Sequence, residues 1–150
     1  MKISTKGRYA LEAVTDLVLH AGAQYESIRN IAERRGLSEN YLEQIFLLLR
    51  KSGIVESVRG PQGGYRITKA PELISAGSIL HAVEGQMAPV QCLATDENKE
   101  ACDREDRCVT RRVWNRMMLE MNAILDEVTI GKLVEAVRKD EQTPVLDFCI

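Results

Sequence analysis

The sequence lacks a segment that could cross or enter a membrane. An uncharged run as long as any in the chain, LISAGSILHAV from Leu73, is too short to span a bilayer. The first residues, MKISTKGRYALEAVTDL, carry Arg8, Glu12 and Asp16, with no apolar central region and no small-residue cleavage site. We therefore expect no secretory signal, no membrane contact and a cytoplasmic location.

The sequence also lacks a strong excess of charge of either sign. Its formal net charge is −2, which by itself argues against nucleic-acid binding. Residues 1–90 carry 11 Lys or Arg and 9 Asp or Glu, whereas residues 91–150 carry 9 and 13. This asymmetry is mild, so any contact with DNA must come from local clustering of charge and not from the global charge.

Catalytic constellations are absent as well. We find no paired nucleophile and base, no phosphate-binding loop and no acid–base dyad, and therefore expect no enzymatic activity. There is no internal repeat and no low-complexity segment. A length of 150 residues allows one domain with an appendage.

Helical periodicity and capping residues predict a mainly α fold. Apolar positions repeat at helical spacing over residues 8–22, and Ser27 and Ser38 are typical caps for a second helix ending at Gly36 and a third, ENYLEQIFLLLRK. We expect the third helix to bury Leu42, Ile45, Phe46 and Leu49. Further helices are expected from a cap at Ser75 to about Glu84, from about Asp106 to Glu127, and over 129–138.

Residues 54–68 predict a β hairpin directly after the third helix. IVESV and YRIT read as strands, and the connecting RGPQGG is rich in turn-forming residues. Two capped helices joined by a glycine turn, followed by such a hairpin, predict a winged helix-turn-helix with a two-stranded β wing. Arg59 stands at the shoulder of the wing, where a narrow minor groove would attract it. Arg66 lies nearer the sheet, where we expect it to meet a phosphate or an acidic neighbour.

Several polar residues of the third helix lie off its predicted core face. They are Glu39, Asn40, Tyr41, Glu43 and Gln44. Asn and Gln can pair with adenine, Glu can accept from cytosine, and Ser and Tyr can bind phosphates. The same pattern also fits a helix pair that never meets DNA, and the hairpin that follows favours the DNA interpretation.

Three of the four cysteines, Cys92, Cys102 and Cys108, crowd into seventeen residues. Their spacing matches neither a zinc knuckle nor a ferredoxin. Thiolates are nevertheless preferred ligands of iron–sulfur clusters, and we favour such a cluster over a zinc site, a redox switch or three ordinary thiols. Cys149, near the end of the chain, is expected to be a bystander.

Several stretches together resemble the IscR-type family of winged-helix transcription regulators of iron–sulfur cluster assembly and related stress pathways. They are STKGRYALEAV, SENYLEQIFLLLRKSGIVESVRGPQGGYRI and the three-cysteine loop. The resemblance covers nearly the whole chain and is weakest after about residue 128. It implies that Arg59 and Gly60 enter the minor groove of DNA. It also implies a set of major-groove residues, namely Ser38, Asn40, Tyr41, Glu43 and Gln44.

The same resemblance implies a [2Fe–2S] cluster on Cys92, Cys102 and Cys108, with a histidine soon after the third cysteine as the fourth ligand. Here VTRRVW follows Cys108 and contains no histidine, so the fourth ligand and the cluster type are open. The two histidines, His20 and His81, fall in predicted helices. The candidate fourth ligands are Cys149, Asp106, Glu105, Glu12 of the partner subunit or a non-protein group.

The predicted organisation has four parts: a DNA-binding domain over 1–85, a cysteine-bearing loop over 86–106, a dimerisation helix with a short following helix over 107–138, and a flexible tail over 139–150. The apolar stripe of the long helix predicts a homodimer that reads pseudo-palindromic promoter DNA. Two alternatives remain open. One is a cluster-free winged-helix repressor controlled by a partner enzyme or a small molecule, and the other is an iron–sulfur or redox carrier.

Overall fold

The computed structural model describes residues 4–94, 102 and 104–142. This part of the chain holds six helices and one hairpin, confirming the predicted fold class. The elements are α1 (Thr5–Ala21), α2 (Ile28–Arg35), α3 (Glu39–Lys51), β1 (Val55–Val58), β2 (Gly64–Ile67), α4 (Ala76–Glu84), α5 (Val109–Glu127) and α6 (Ile130–Gln142). Short 3₁₀ turns lie at Pro71–Leu73, Gln91–Leu93 and Glu105–Arg107.

Serine caps determine where four of these helices begin. The hydroxyls of Ser27, Ser38 and Ser75 each accept a hydrogen bond from a backbone N–H in the first turn of α2, α3 and α4, as the sequence predicts. Ser4 caps α1 in the same way by accepting from the backbone of Lys6 and Gly7. Because of this cap, α1 begins at Thr5, earlier than the predicted residue 8.

The hydrophobic core lies between the first four helices, the base of the hairpin and α6. The predicted core residues of α3 are all buried: Leu42, Ile45, Phe46 and Leu49. Helix α6 adds Ile130 and Val134, which are also buried. The core of the predicted 1–85 domain is therefore completed from the far end of the described chain.

Helix α6 returns to α1 because its first turn is tied to the start of α4. The Ala76 N–H donates to the Val128 carbonyl at 2.7 Å, and the Ile130 N–H donates to the Ile74 carbonyl at 2.9 Å. The helix is longer than the predicted 129–138 and enters the predicted tail. Residues 143–150, including Cys149, lie outside the described residues.

The wing is an antiparallel hairpin that is widened by one additional residue. Strands β1 and β2 pair with Val55 opposite Ile67 and Glu56 opposite Arg66. Glu26, in front of α2, exchanges two backbone hydrogen bonds with Tyr65, at 2.8 and 2.9 Å. The wing is thereby attached to the segment that leads into the helix-turn-helix.

Helix α5 stands apart from the core and contains no buried residue. It packs through one side against α4, while the other side exposes apolar side chains. Val109, Val113 and Ile124 are exposed by 78%, 62% and 63%. Among the helices that the structure describes, none is long and apolar enough to pass through a membrane.

Candidate nucleic-acid interface

The side of α3 opposite the core is polar and exposed. Asn40, Glu43 and Gln44 follow one another at helical spacing on this side, and Leu47 continues the line. Within residues 4–142 as described, the side chains of Asn40, Glu43 and Gln44 make no hydrogen bond. Ser38 accepts from the Tyr41 N–H at 3.4 Å, which leaves its own hydroxyl proton free to donate. The first turn of α3 thus offers uncommitted donors and acceptors to a partner.

Tyr41 differs from the other predicted contact residues because its ring is half-buried. It meets the Tyr9 ring edge to face, with the ring centroids 6.1 Å apart. The Arg8 guanidinium lies 5.0 Å from the Tyr9 centroid and remains exposed. The first turn of α1 therefore places a cation beside the polar face of α3.

Arg8 and Tyr9 are absent from the residues that the sequence nominated as an interface. Tyr9 fits the apolar periodicity of α1, so the pattern assigned it to the core. Its packing on Tyr41 depends on how α1 crosses α3, which helical spacing alone does not give. The available signal was the GRYA segment within the resemblance to the IscR-type family.

The tip of the wing is a tight loop with a free cation. Gly60 has a φ of +120°, which favours glycine. A Cβ on Gly63 would lie 2.2 Å from the Val58 carbonyl oxygen, so the loop closes more tightly than a side chain there would allow. Arg59 is exposed and has no ion-pair partner within the described part of the chain. Its charge is therefore available to an external anion.

Helix α3 and the wing are held together at two points. The Phe46 and Tyr65 rings pack edge to face with centroids 4.9 Å apart. At the end of α3, Arg50 Nη1 donates to Ser57 Oγ on β1 at 3.1 Å. The two predicted contact surfaces thus belong to one connected unit.

Arg66 is engaged inside the wing. Its Nε donates to Glu56 Oε1 at 2.5 Å, and its guanidinium stacks 4.6 Å from the Tyr25 ring centroid. The hydrogen bond from Arg66, with a second from the Tyr25 hydroxyl, lowers the pKa of Glu56. Of the two outcomes predicted for Arg66, the acidic neighbour is the one found.

The three described cysteines all precede α5 in the chain. Cys92 and Cys108 are half-buried, and Cys102 is exposed. The Cys108 sulfur lies 3.2 Å from Thr110 Oγ1. This contact, together with the backbone N–H of Arg111, lowers the pKa of the Cys108 thiol. A lower pKa favours the thiolate, which is the form that binds metal.

The three thiols suit an iron–sulfur cluster chemically, but the described residues do not gather into a ligand set. No group of three or more His, Cys, Asp or Glu in the described ranges is arranged to hold a metal ion. Among the candidate fourth ligands, Glu105 pairs with Arg111 at 2.6 Å and Glu12 pairs with Arg35 at 2.8 Å. Cys149 and residues 95–101 and 103 lie outside the described residues.

Comparison with known proteins agrees with this architecture. The model of the Rrf2 family, described as an iron-dependent transcriptional regulator, matches residues 3–136. The transcriptional regulator IscR of Aliivibrio salmonicida is 40% identical over 134 residues, which is 89% of this chain and 77% of that protein. IscR of Yersinia enterocolitica is 38% identical over the same length and is covered to 79%.

Solved structures give the same result. IscR of T. potens superposes with a TM-score of 0.74 at 34% identity, covering 95% of this chain and 93% of that chain. CymR, the global cysteine regulator of B. subtilis, superposes with a TM-score of 0.71 at 37% identity, covering 91% and 98%. The exposed polar helix, the wing and these relatives together identify the chain as a member of the Rrf2 family, a DNA-binding transcriptional regulator and not an enzyme.

Proposed function

We propose that the protein is a homodimeric, sequence-specific regulator that reads double-stranded DNA with α3 and the wing. The polar face of α3 enters the major groove, and the tip of the wing, Arg59 and Gly60, enters the adjacent minor groove. The observation that carries the proposal is a row of polar side chains on α3 that make no hydrogen bond to the described residues. Beside them the tip of the wing holds Arg59, which has no ion-pair partner in the same part of the chain.

The residues of α3 have different roles in the major groove. The amides of Asn40 and Gln44 pair with base edges, and adenine offers the matching donor and acceptor. Glu43 accepts a hydrogen bond from cytosine, and its carboxylate is otherwise repelled by DNA. It therefore acts mainly by disfavouring binding to other base sequences. Ser38 and Tyr41 hold phosphates and set the register of the helix.

The wing supplies a contact that depends on groove shape. A narrow minor groove concentrates negative potential, and Arg59 brings an uncompensated charge to it. Gly60 has no side chain, so the backbone of the wing can approach the groove closely.

A second copy of the chain covers the outer face of α5. Val109, Val113, Met117 and Ile124 lie along one side of this helix and are exposed. Two copies related by a twofold axis bury these side chains against each other and present two α3 helices to a pseudo-palindromic site.

Cys92, Cys102 and Cys108 are the proposed ligands of a [2Fe–2S] cluster, with a fourth ligand other than histidine. The support is the donor set: three thiols close in sequence, with the pKa of Cys108 lowered. A bound cluster supplies redox chemistry and reactivity toward oxygen or nitric oxide. The second candidate is a cluster-free regulator controlled by another molecule, which needs no gathered ligand set among the described residues.

DNA reading is tested by quantitative gel shifts on a pseudo-palindromic promoter fragment. We expect Arg59→Ala to weaken binding most on fragments with a narrow minor groove. Gln44→Ala is expected to relax specificity at one base pair, by about 1–3 kcal/mol. Arg116→Ala and Gln24→Ala remove the same groups elsewhere and serve as controls. Wild-type binding by Arg59→Ala and Gln44→Ala on every fragment would contradict the proposed docking.

The cluster is tested by anaerobic purification followed by iron and sulfide analysis and visible absorption. Iron and sulfide in near-equal amounts, lost in Cys108→Ala, are the expected result. Cys149→Ala then shows whether Cys149 is the fourth ligand or a bystander. DNA binding is then measured before and after cluster loss. A colourless, iron-free protein that still binds DNA would select the cluster-free regulator.

A further inference from the structure

Asp16 on α1 is the buried charged residue of the described chain, with 6% of its surface exposed. Burying a carboxylate is costly unless a cation and hydrogen bonds compensate for it. Arg34 on α2 supplies both, because its Nε and Nη2 donate to Asp16 Oδ2 at 2.9 and 2.7 Å. His20 Nδ1 lies 3.5 Å from Asp16 Oδ1 on the other side.

The same guanidinium also reaches Glu26. Arg34 Nη2 donates to Glu26 Oε2 at 3.1 Å. The other carboxylate oxygen of Glu26 accepts from the Ser27 N–H at 2.9 Å and from Asn30 Nδ2 at 2.7 Å. Burial opposes ionisation of Glu26, but the hydrogen bonds from Asn30, Ser27 and Arg34 outweigh it and lower the pKa of this carboxyl.

Glu26 is also the residue whose backbone holds the wing. Its N–H and carbonyl both pair with Tyr65, while the Tyr65 ring packs on Phe46 of α3. The approach is close enough that a Cβ on Gly64 would lie 2.2 Å from the Glu26 carbonyl oxygen. Arg34 therefore connects a buried anion of α1 to the residue that fixes the position of β2.

We infer that Arg34 is a positioning residue that sets the angle between the wing and α3. It acts on DNA recognition through Glu26 and the wing, without touching DNA itself. The inference rests on the proposed function of Arg59 in the minor groove. Because the two grooves lie at a fixed separation, a wing that is held at one angle lets Arg59 enter the minor groove while α3 remains in the major groove.

Only a guanidinium satisfies this arrangement fully. Its planar donors reach two carboxylates at once, whereas a lysine ammonium is a point charge on a shorter reach. Arg35 provides a matched comparison on the same helix. It also pairs with a carboxylate of α1, Glu12 at 2.8 Å, but has no contact with Glu26 in the described chain.

The test uses two DNA fragments with identical contacted bases, one flanked by A-tracts with a narrow minor groove and one by G·C pairs. The dissociation constant for the G·C fragment divided by that for the A-tract fragment measures how strongly the wing prefers a narrow minor groove. We expect Arg34→Met to lower this ratio by about three- to tenfold, the effect of one coupled contact, while affinity for the G·C fragment changes little. Arg34→Lys should recover part of the ratio, and Arg35→Met should leave it unchanged.

The double variant Arg34→Met with Arg59→Ala separates positioning from general destabilisation. If Arg34 acts through the wing, the double variant discriminates no less than Arg59→Ala alone. Equal losses on both fragments, or additive losses in the double variant, would overturn the inference. If Arg59→Ala itself leaves the ratio unchanged, the proposed minor-groove contact fails instead. Circular dichroism and urea unfolding establish that each variant is folded.

Discussion

At the scale of single residues, the wing depends on two glycines that permit close backbone contacts. Gly63 lies against the Val58 carbonyl, and Gly64 lies against the Glu26 carbonyl with a φ of +148°. Neither position has room for a methyl group. The glycine-rich sequence of the wing therefore serves packing of the backbone as well as the proposed approach to DNA.

We predict that Gly64→Ala destabilises the protein by more than the roughly 1–2 kcal/mol usual for a residue with a Cβ at a left-handed position. The added Cβ forces the wing away from Glu26. Gly36→Ala is the control, since Gly36 has a φ of +63° but open space around its Cα. The midpoints of urea unfolding measure the loss of stability in both variants. Equal losses in the two variants would show that the contact with Glu26 contributes nothing.

Glu26 gives a prediction for pH. Its pKa in the folded protein lies below the ordinary value of 4.5, so the folded state binds this proton less readily than the unfolded chain. The stabilisation is present at neutral pH and is lost as the pH falls through 4.5 toward the lower folded value. We expect Glu26→Gln to be less stable than wild type at pH 7, with the difference shrinking below pH 4.5 in urea unfolding. A difference that does not vary with pH would contradict this.

At the scale of elements, helices with local signals are predicted well. The caps at Ser27 and Ser38 and the stop at Gly36 lie directly next to their helices in the sequence, and α3 occupies the predicted segment. The strands differ from the predicted ones by a residue at their ends. These features depend on neighbours a few positions away, which periodicity and capping rules describe.

Features that depend on distant partners were not predictable in this way. The attachment of Glu26 to Tyr65 joins segments that no pattern pairs, and Asp16 reads as an ordinary polar position of α1 until Arg34 folds over it. In the candidate site, too, some features depend on nearby residues and others on distant partners. The polar face of α3 follows from helical spacing, whereas the partner of Arg66 and the role of Arg34 require the tertiary structure.

Helix α5 gives a prediction about assembly. Val113 lies on its exposed apolar side, so Val113→Glu should place a charge in the proposed dimer interface and favour the monomer. Asn115→Glu adds the same charge to α5 away from its apolar side and should leave the dimer intact. Analytical ultracentrifugation over a range of concentrations distinguishes the two. A wild-type chain that sediments as a monomer at all concentrations would refute the interface.

At the scale of the whole molecule, the proposed twofold dimer would set the spacing of the DNA half-sites. Inserting about five base pairs between the half-sites rotates one by about half a helical turn and should abolish tight binding. An insertion of about ten base pairs returns both half-sites to the same side of the duplex but increases the distance between them. It should therefore recover binding only if the dimer can extend over the longer distance. Fluorescence anisotropy measures the affinity for the unmodified fragment and for the two fragments with insertions. Equal affinity for all three would mean that each half-site is bound independently.

The return of α6 onto α1 affects how this protein can be shortened. A fragment cut after Gly85 keeps every residue proposed to touch DNA, yet it loses Ile130 and Val134, which are buried in the core. Such a fragment exposes the apolar surface of α1 that α6 covers, and we expect it to aggregate when it is expressed alone. A soluble minimal DNA reader would need α6 joined directly to α4 by a short artificial linker in place of α5.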